Sequence, residues 1–183
     1  MIIDGHQVYI RPGFKPAQGW AIFLDRDGVI NREVRLLQSI KDIELIPEII
    51  PALAKLNRAN IPVIVVHNAA VVARNLCSLA QLEKINYHMI HLLKLKGVYV
   101  DAIFYCPHHF DAYNPVFKKA CSWRKPGPGM LLAAAKQFNL NLIKSYLIGD
   151  QARDIEAAQA VGMTAFLVSG GQKILTAIDK IIL

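Results

Sequence analysis

Between residues 20 and 169, short uninterrupted apolar runs alternate with longer segments whose apolar residues recur at helical spacing. The runs are 20–25 (WAIFLD), 62–68 (PVIVVHN), 101–106 (DAIFYC), 145–150 (SYLIGD) and 164–169 (TAFLVS). Runs of roughly 4–8 residues, apolar at odd and even positions alike, suit strands covered on both faces. The segments between them supply the cover. Pro47 opens a helix to Asn60 with Ile49, Ile50, Leu53 and Leu56 on one face, and further helices are expected over 76–95, 128–138 and 154–161. Strand–helix–strand alternation implies an α/β fold, a central parallel sheet with helices on both faces. With 183 residues, 54% of them hydrophobic, one domain spanning 1–183 can bury its own core. Ile174, Leu175, Ile178, Ile181 and Ile182 are spaced as the apolar face of a last helix on that core. Residues 1–18 stand outside the alternation and are expected to form an arm or part of a minimal cap.

In such a sheet the ligand site lies outside the carboxyl ends of the strands. Three of the runs end in polar residues: Asp25, His67 with Asn68, and Asp150. Any one of these alone is what an ordinary strand-to-loop transition looks like; their coincidence with the motifs below is what points to chemistry.

Directly after the first run comes DRDGVIN, Asp25 to Asn31. Two carboxylates two residues apart can divide the work: Asp25 attacks phosphorus to form an aspartyl-phosphate, and Asp27 protonates the leaving oxygen and then activates water. Gly28 permits the sharp turn beneath them. Asp-x-Asp-Gly also begins a calcium loop, but the twelfth position counted from Asp25 is Leu36, where such a loop needs Glu. After the fourth run comes IGDQARDIEAAQAVG, 148–162, in which Asp150 can reach a metal held by Asp25 and Asp154 can orient a basic residue. Carboxylates and a phosphate gathered in one place require a divalent cation, and Mg²⁺ suits an all-oxygen site. Either aspartate could instead simply cap the helix that follows. RKPGPGM, 124–130, places Lys125 as a point charge for the nucleophile and a phosphate oxygen, and Arg124 as a bidentate grip on a second anion.

A net charge of +7 would draw in a phosphorylated small molecule or a polyanion. The basic residues, among them Arg32, Arg35, Lys41, Lys94, Lys96, Lys118, Lys119 and Lys173, are scattered without interleaved aromatics, which argues against nucleic acid. No apolar run approaches the roughly 20 residues of a membrane span, and the N-terminus lacks the order of a signal peptide. A cytoplasmic monomer with no membrane partner is therefore expected. Three cysteines make no disulfide framework. Cys106 and Cys121 flank a histidine-containing loop, which points to metal, whereas Cys77 reads as a small buried hydrophobe.

DRDGVIN near the start, YCPHH in the middle, and RKPGPGM after a second cysteine together resemble the haloacid dehalogenase (HAD) phosphatases, in the branch of the heptose-bisphosphate and histidinol phosphatases. The resemblance runs from about Ala21 to about Val168. It implies a small-capped Rossmann-like domain and Mg²⁺-dependent hydrolysis of a sugar phosphate, most closely D-glycero-D-manno-heptose 1,7-bisphosphate at the 7-phosphate. Asp25, the Asp27 carbonyl and Asp150 would hold Mg²⁺; Asn31, His67, Asn68, Arg124 and Lys125 would meet substrate. It also implies a structural Zn²⁺ in the central loop.

The sequence departs from the family in two places. The family's zinc loop reads Cys-x-His, then Cys-x-Cys; Cys106, His108 and Cys121 match, but Trp123 stands at the fourth position and indole is no ligand. His109, a water, or loss of the metal are the alternatives there. The family's Thr-Asn-Gln-Ser-Gly is His67-Asn68-Ala69-Ala70-Val71 here, so the phosphate-binding hydroxyl is gone. Losing one such donor costs on the order of a hundredfold in rate. Two other readings follow: a phosphatase for histidinol phosphate or another phosphomonoester, and a HAD relative that binds a ligand or partner without turnover.

Overall fold

The computed structural model describes residues 1–34, 37–168 and 171–182, so Arg35, Leu36 and Ser169 lie outside the described residues. One sheet of seven strands runs in the order β1 (Ile2–Ile3), β2 (His6–Ile10), β5 (Ala102–Cys106), β4 (Val63–Asn68), β3 (Ile22–Leu24), β6 (Tyr146–Gly149) and β7 (Thr164–Leu167). Strands β3 to β7 pair in parallel, as the alternation demanded. The helices are α1 (Ile49–Arg58), α2 (Ala70–Ala73), α3 (Leu79–Leu95), α4 (Gly129–Phe138), α5 (Ala152–Gln159) and α6 (Gly171–Ile182). None of the described helices is long and apolar enough to cross a membrane.

The strand register divides the interior in two. Ile22 and Leu24 point into one core, with Leu53 of α1, Leu82 of α3 and Ile178 of α6. Phe23 between them points into the other, with Met130 and Ala134 of α4 and Ala157 of α5. Successive side chains on a strand face opposite ways, so a continuous apolar run is what two covered faces require. The apolar face expected at the C-terminal end packs locally, with Ile174 and Ile178 fully buried.

The N-terminal residues add to the edge of the sheet. Residues 1–10 are neither a loose arm nor a cap: β1 and β2 form a hairpin, and β2 adds to β5 in antiparallel register, Val8 opposite Phe104 and Ile10 opposite Ala102. The sheet is therefore mixed. Asp4 and Gly5 make the turn with φ of 47° and 76°, a conformation that Asp-Gly adopts readily in two-residue hairpins. Arg11 fastens the strand's end, with Nε and Nη2 donating to Asp101 Oδ1 at 3.0 and 2.8 Å, while Asp101 Oδ2 accepts from Val63 N at 2.9 Å.

Chain order reverses across β3. Its successor β4 lies on one side and β6 on the other, which opens a crevice at the carboxyl ends of β3 and β6, where ligands bind in open α/β sheets.

Candidate active site

Asp25 leaves β3 into that crevice and Asp150 leaves β6 beside it. The turn between them depends on Gly28: its φ is +77°, and a Cβ there would stand 2.3 Å from Asp150 Oδ2. A side chain at position 28 is excluded by both backbone conformation and space.

Asp25 is 4% exposed. Its Oδ1 accepts from Arg26 N at 2.7 Å and pairs with Lys125 Nζ at 2.9 Å. The lysine has two further partners, Asp154 Oδ1 at 2.5 Å and the Val66 carbonyl at 2.8 Å. Two carboxylate oxygens and one carbonyl oxygen thus converge on a single ammonium. Asn68 fixes the lysine's backbone from both sides, its Oδ1 accepting from Lys125 N and its Nδ2 donating to Lys125 O, each at 2.9 Å. Asp154 is tied at its other oxygen, where Oδ2 accepts from Gln151 N at 3.0 Å to cap α5. Burial pushes the Asp25 carboxyl up to about 6 against the pull of Lys125. Burial also raises Asp150.

Asp27 is held differently. Arg26 donates Nε to Oδ1 at 3.0 Å and Nη2 to Oδ2 at 2.8 Å, and Asn31 Nδ2 adds a bond to Oδ1 at 2.9 Å. Burial alone would raise this carboxyl; the Arg26 fork overrides it and holds it down at about 2. Arg26 itself is 1% exposed, and its Nη1 donates to Asn86 Oδ1 on α3 at 3.2 Å.

A cavity of about 320 Å³ opens above these groups, with Asp25, Asp27 and Asn68 on its floor and Arg74, Arg124 and Arg153 around it. Glu33 joins the wall, and desolvation together with Asp27, Asp150 and Asp25 pushes it up to about 7. Ligand oxygens of Asp25, Asp150 and Asp154 lie within 4.8 Å of one another, and Asp150 Oδ1 is buried without a hydrogen-bond partner. An orphaned buried carboxylate oxygen beside a second carboxylate fits a hard divalent cation of the Mg²⁺ kind.

The chain is similar to known phosphatases over most of its length. It is 37% identical over 150 residues to the D-glycero-beta-D-manno-heptose-1,7-bisphosphate 7-phosphatase of Rhodopseudomonas palustris, covering 82% of this chain and 83% of the relative. The chain belongs to this phosphatase family. The Escherichia coli member is 37% identical over 155 residues, covering 84% of this chain and 81% of its own. A HAD-hydrolase-like family model matches residues 122–181. Among solved structures, the D,D-heptose 1,7-bisphosphate phosphatase of B. bronchiseptica, complexed with magnesium and phosphate, superposes with a TM-score of 0.75 at 34% identity over 87% of each chain.

Against the family pattern, two expected substrate contacts move. Asn31 is fully buried and serves Asp27 and the Arg32 carbonyl rather than the cavity. His67 does not line the cavity either: it shares a sheet face with Val65 and stacks on Tyr105, its pairing partner on β5, at 5.5 Å. It is 1% exposed, its ring nitrogens have no hydrogen-bond partner, and burial keeps it neutral. Strand alternation explains this, because only every second side chain of β4 shares the face of Val66 and Asn68.

The loop expected to hold zinc begins at the carboxyl end of β5. Cys106 Sγ is 3.8 Å from His108 Nδ1, and Cys121 lies near both. Trp123 is buried in the second core. His109 is outside this group; its Nδ1 accepts from Asp111 N at 3.0 Å and its ring stacks on Phe110. The fourth potential ligand is His6 on β2, with Nε2 3.3 Å from Cys121 Sγ.

Sequence reasoning also passed over Arg26, Glu33, Asn86, Arg74 and Arg153 as site residues. Arg26 lies inside DRDGVIN and Arg74 follows the stretch His67 to Val71, but nothing local shows which partner a guanidinium will find.

Proposed function

We propose that the protein is a Mg²⁺-dependent phosphomonoesterase whose substrate is a phosphorylated heptose, D-glycero-D-manno-heptose 1,7-bisphosphate cleaved at the 7-phosphate. The observation that carries the reading is the Asp25–Lys125–Asp154 chain of ion pairs beneath an arginine-walled cavity. Lys125 neutralises Asp25 without consuming both of its oxygens: Oδ1 is engaged, so Oδ2 attacks phosphorus. The P–O bond to the sugar breaks as the aspartyl-phosphate forms, and the sugar oxygen takes a proton from Asp27. Water then attacks the acyl phosphate and gives a proton back to Asp27, which releases phosphate and restores Asp25. Arg26 keeps Asp27 ionised in the free protein, so Asp27 takes up its proton with substrate bound, when the anionic phosphoryl group beside it raises its affinity for one. Asp25 and Asp150 would hold Mg²⁺, which would supply charge neutralisation at the phosphoryl oxygens. Arg74, Arg124 and Arg153 present planar forks to the remaining anionic groups, which favours a bisphosphate over a monophosphate. Zn²⁺ in the loop of Cys106, His108 and Cys121 has a structural role, because that cluster is not part of the cavity wall.

One observation favours weak turnover: with His67 turned to Tyr105 and Asn68 committed to Lys125, the end of β4 offers the phosphate no hydroxyl. The test is phosphate release from heptose 1,7-bisphosphate, histidinol phosphate and an aryl phosphate, with and without Mg²⁺, with Asp25→Asn as the blank. Mg²⁺-dependent release that vanishes in the blank and is fastest on the bisphosphate is expected. Release no greater than the blank on all three would assign the fold to binding alone.

A further inference from the structure

We infer that His6 is the fourth ligand of the zinc site, so that the metal ties the N-terminal hairpin to the loop that carries Arg124. The inference rests on the reading of the loop as a zinc site and goes beyond it, because the fourth corner moves from position 123 to a strand at the opposite end of the chain.

His6, Cys106, His108 and Cys121 each direct one donor atom into a space where all four lie within 4.8 Å of one another. A tetrahedron with Zn–N of about 2.0 Å and Zn–S of about 2.3 Å has edges of roughly 3.3–3.8 Å. The two edges resolved here, His6 Nε2 to Cys121 Sγ and Cys106 Sγ to His108 Nδ1, are 3.3 and 3.8 Å. Two thiolates with two imidazoles are a zinc donor set.

The orientation of His6 is built in. Its Nδ1 lies 3.0 Å from the Asp4 carbonyl oxygen in the hairpin turn. A carbonyl only accepts, so Nδ1 carries the hydrogen and the Nε2 lone pair is turned toward the cysteines; a backbone carbonyl behind the ring is the usual support for a metal-bound histidine. The ring is also clamped. It stacks on Trp123 with centroids 4.0 Å apart and planes 5° from parallel, and it meets His108 edge-on at 5.0 Å. Trp123 cannot replace the missing ligand, but it holds the side chain that does. Packing and coordination have exchanged places: the residue at the family's ligand position packs, and a residue of β2 would ligate.

The consequence reaches the cavity. His108 would hold metal through its ring while its carbonyl accepts from Arg124 Nη1 at 3.2 Å, and Arg124 lines the cavity. His6 would thus be a positioning residue that acts on the Arg124 loop through the metal and His108.

The test uses the full chain. Zinc per chain is measured after dialysis, zinc release to a chromophoric chelator is timed, and Co²⁺-substituted protein is examined for thiolate-to-cobalt charge transfer, for the wild type, His6→Ala and His6→Cys. Expected are one zinc per wild-type chain, at least tenfold faster release from His6→Ala, and a stronger charge-transfer band in His6→Cys as a third thiolate joins. Wild-type release kinetics in His6→Ala would overturn the role of His6 while leaving the zinc site standing. Zinc-free wild type that also fails to take up Co²⁺ would overturn the zinc reading itself. Should His6→Ala not fold, the cysteine variant still decides, because an unchanged band would place position 6 outside the coordination sphere.

Discussion

The Arg26 guanidinium grips the carboxylate of its own neighbour, Asp27, with two hydrogen bonds of 3.0 and 2.8 Å. The arginine side chain is 2% exposed and the aspartate 22%, so the pair lies largely out of water. Asp27, at about 2 in the folded protein, lies below its ordinary value of 3.8. Its contribution to stability is therefore present above about pH 4 and is lost as pH falls through 2. Arg26→Gln removes the cation, leaves burial to dominate and should raise the Asp27 carboxyl. We expect a loss of about 3–5 kcal/mol at pH 7, the usual result of removing one partner of a buried pair, shrinking at pH 4. Urea denaturation at the two pH values measures it; an equal loss at both would mean the pair is not what Arg26 supports.

Asp25 carries the opposite sign. Its carboxyl is raised from 3.8 to about 6, so the metal-free protein binds more protons folded than unfolded between those values, and its stability should fall as pH rises from about 4 to 6. Glu33 and Asp150 are raised as well and add slopes of the same sign. The informative quantity is the difference between wild type and Asp25→Asn. The variant should lose activity, show a shallower slope, and melt higher than wild type above pH 6 when both are metal-free. Mg²⁺ competes with protons for the same oxygen and should raise the wild-type Tm more at pH 7.5 than at pH 5. A variant with the wild-type slope would show that Asp25 is not the group responsible.

Lys125 stands between Asp25 and Asp154, both almost fully buried. Lys125→Met leaves two buried carboxylates sharing no cation, and we expect a loss of kcat of at least about a hundredfold, the scale of removing one preorganised charge from a phosphoryl site, together with a lowered Tm. Lys125→Arg should not restore the rate, because three acceptors converge on one nitrogen and a planar fork cannot reproduce that arrangement. Recovery of kcat in the arginine variant would reduce the role of Lys125 to charge alone.

His67 occupies the place of the family's hydroxyl but packs on Tyr105. His67→Thr should consequently leave kcat unchanged or lower, and should cost about 1–3 kcal/mol as a well-packed buried ring is replaced by a smaller group. A rise in kcat would show that position 67 reaches the phosphate after all.

The parallel strands and the helices over them were legible in the sequence because each is a local matter: an apolar run of strand length, or an apolar face at helical spacing, states its own burial. Asp25, Asp27, Asp150 and Lys125 stand out as candidates for the same reason, because they lie in turns and loops whose chemistry is local too. The hairpin of β1 and β2 was not legible, since β1 has two residues and β2 mixes polar with apolar ones, and an edge strand is defined by the neighbour it pairs with. The same limit hid the grip of Arg26 on Asp27 and Asn86, and the turn of His67 toward Tyr105. It hid His6 most completely: its Nε2 meets Cys121 across 115 residues of chain. Residue type and local spacing say what a side chain can do, but a contact between distant residues exists only once the sheet has brought β2 beside β5.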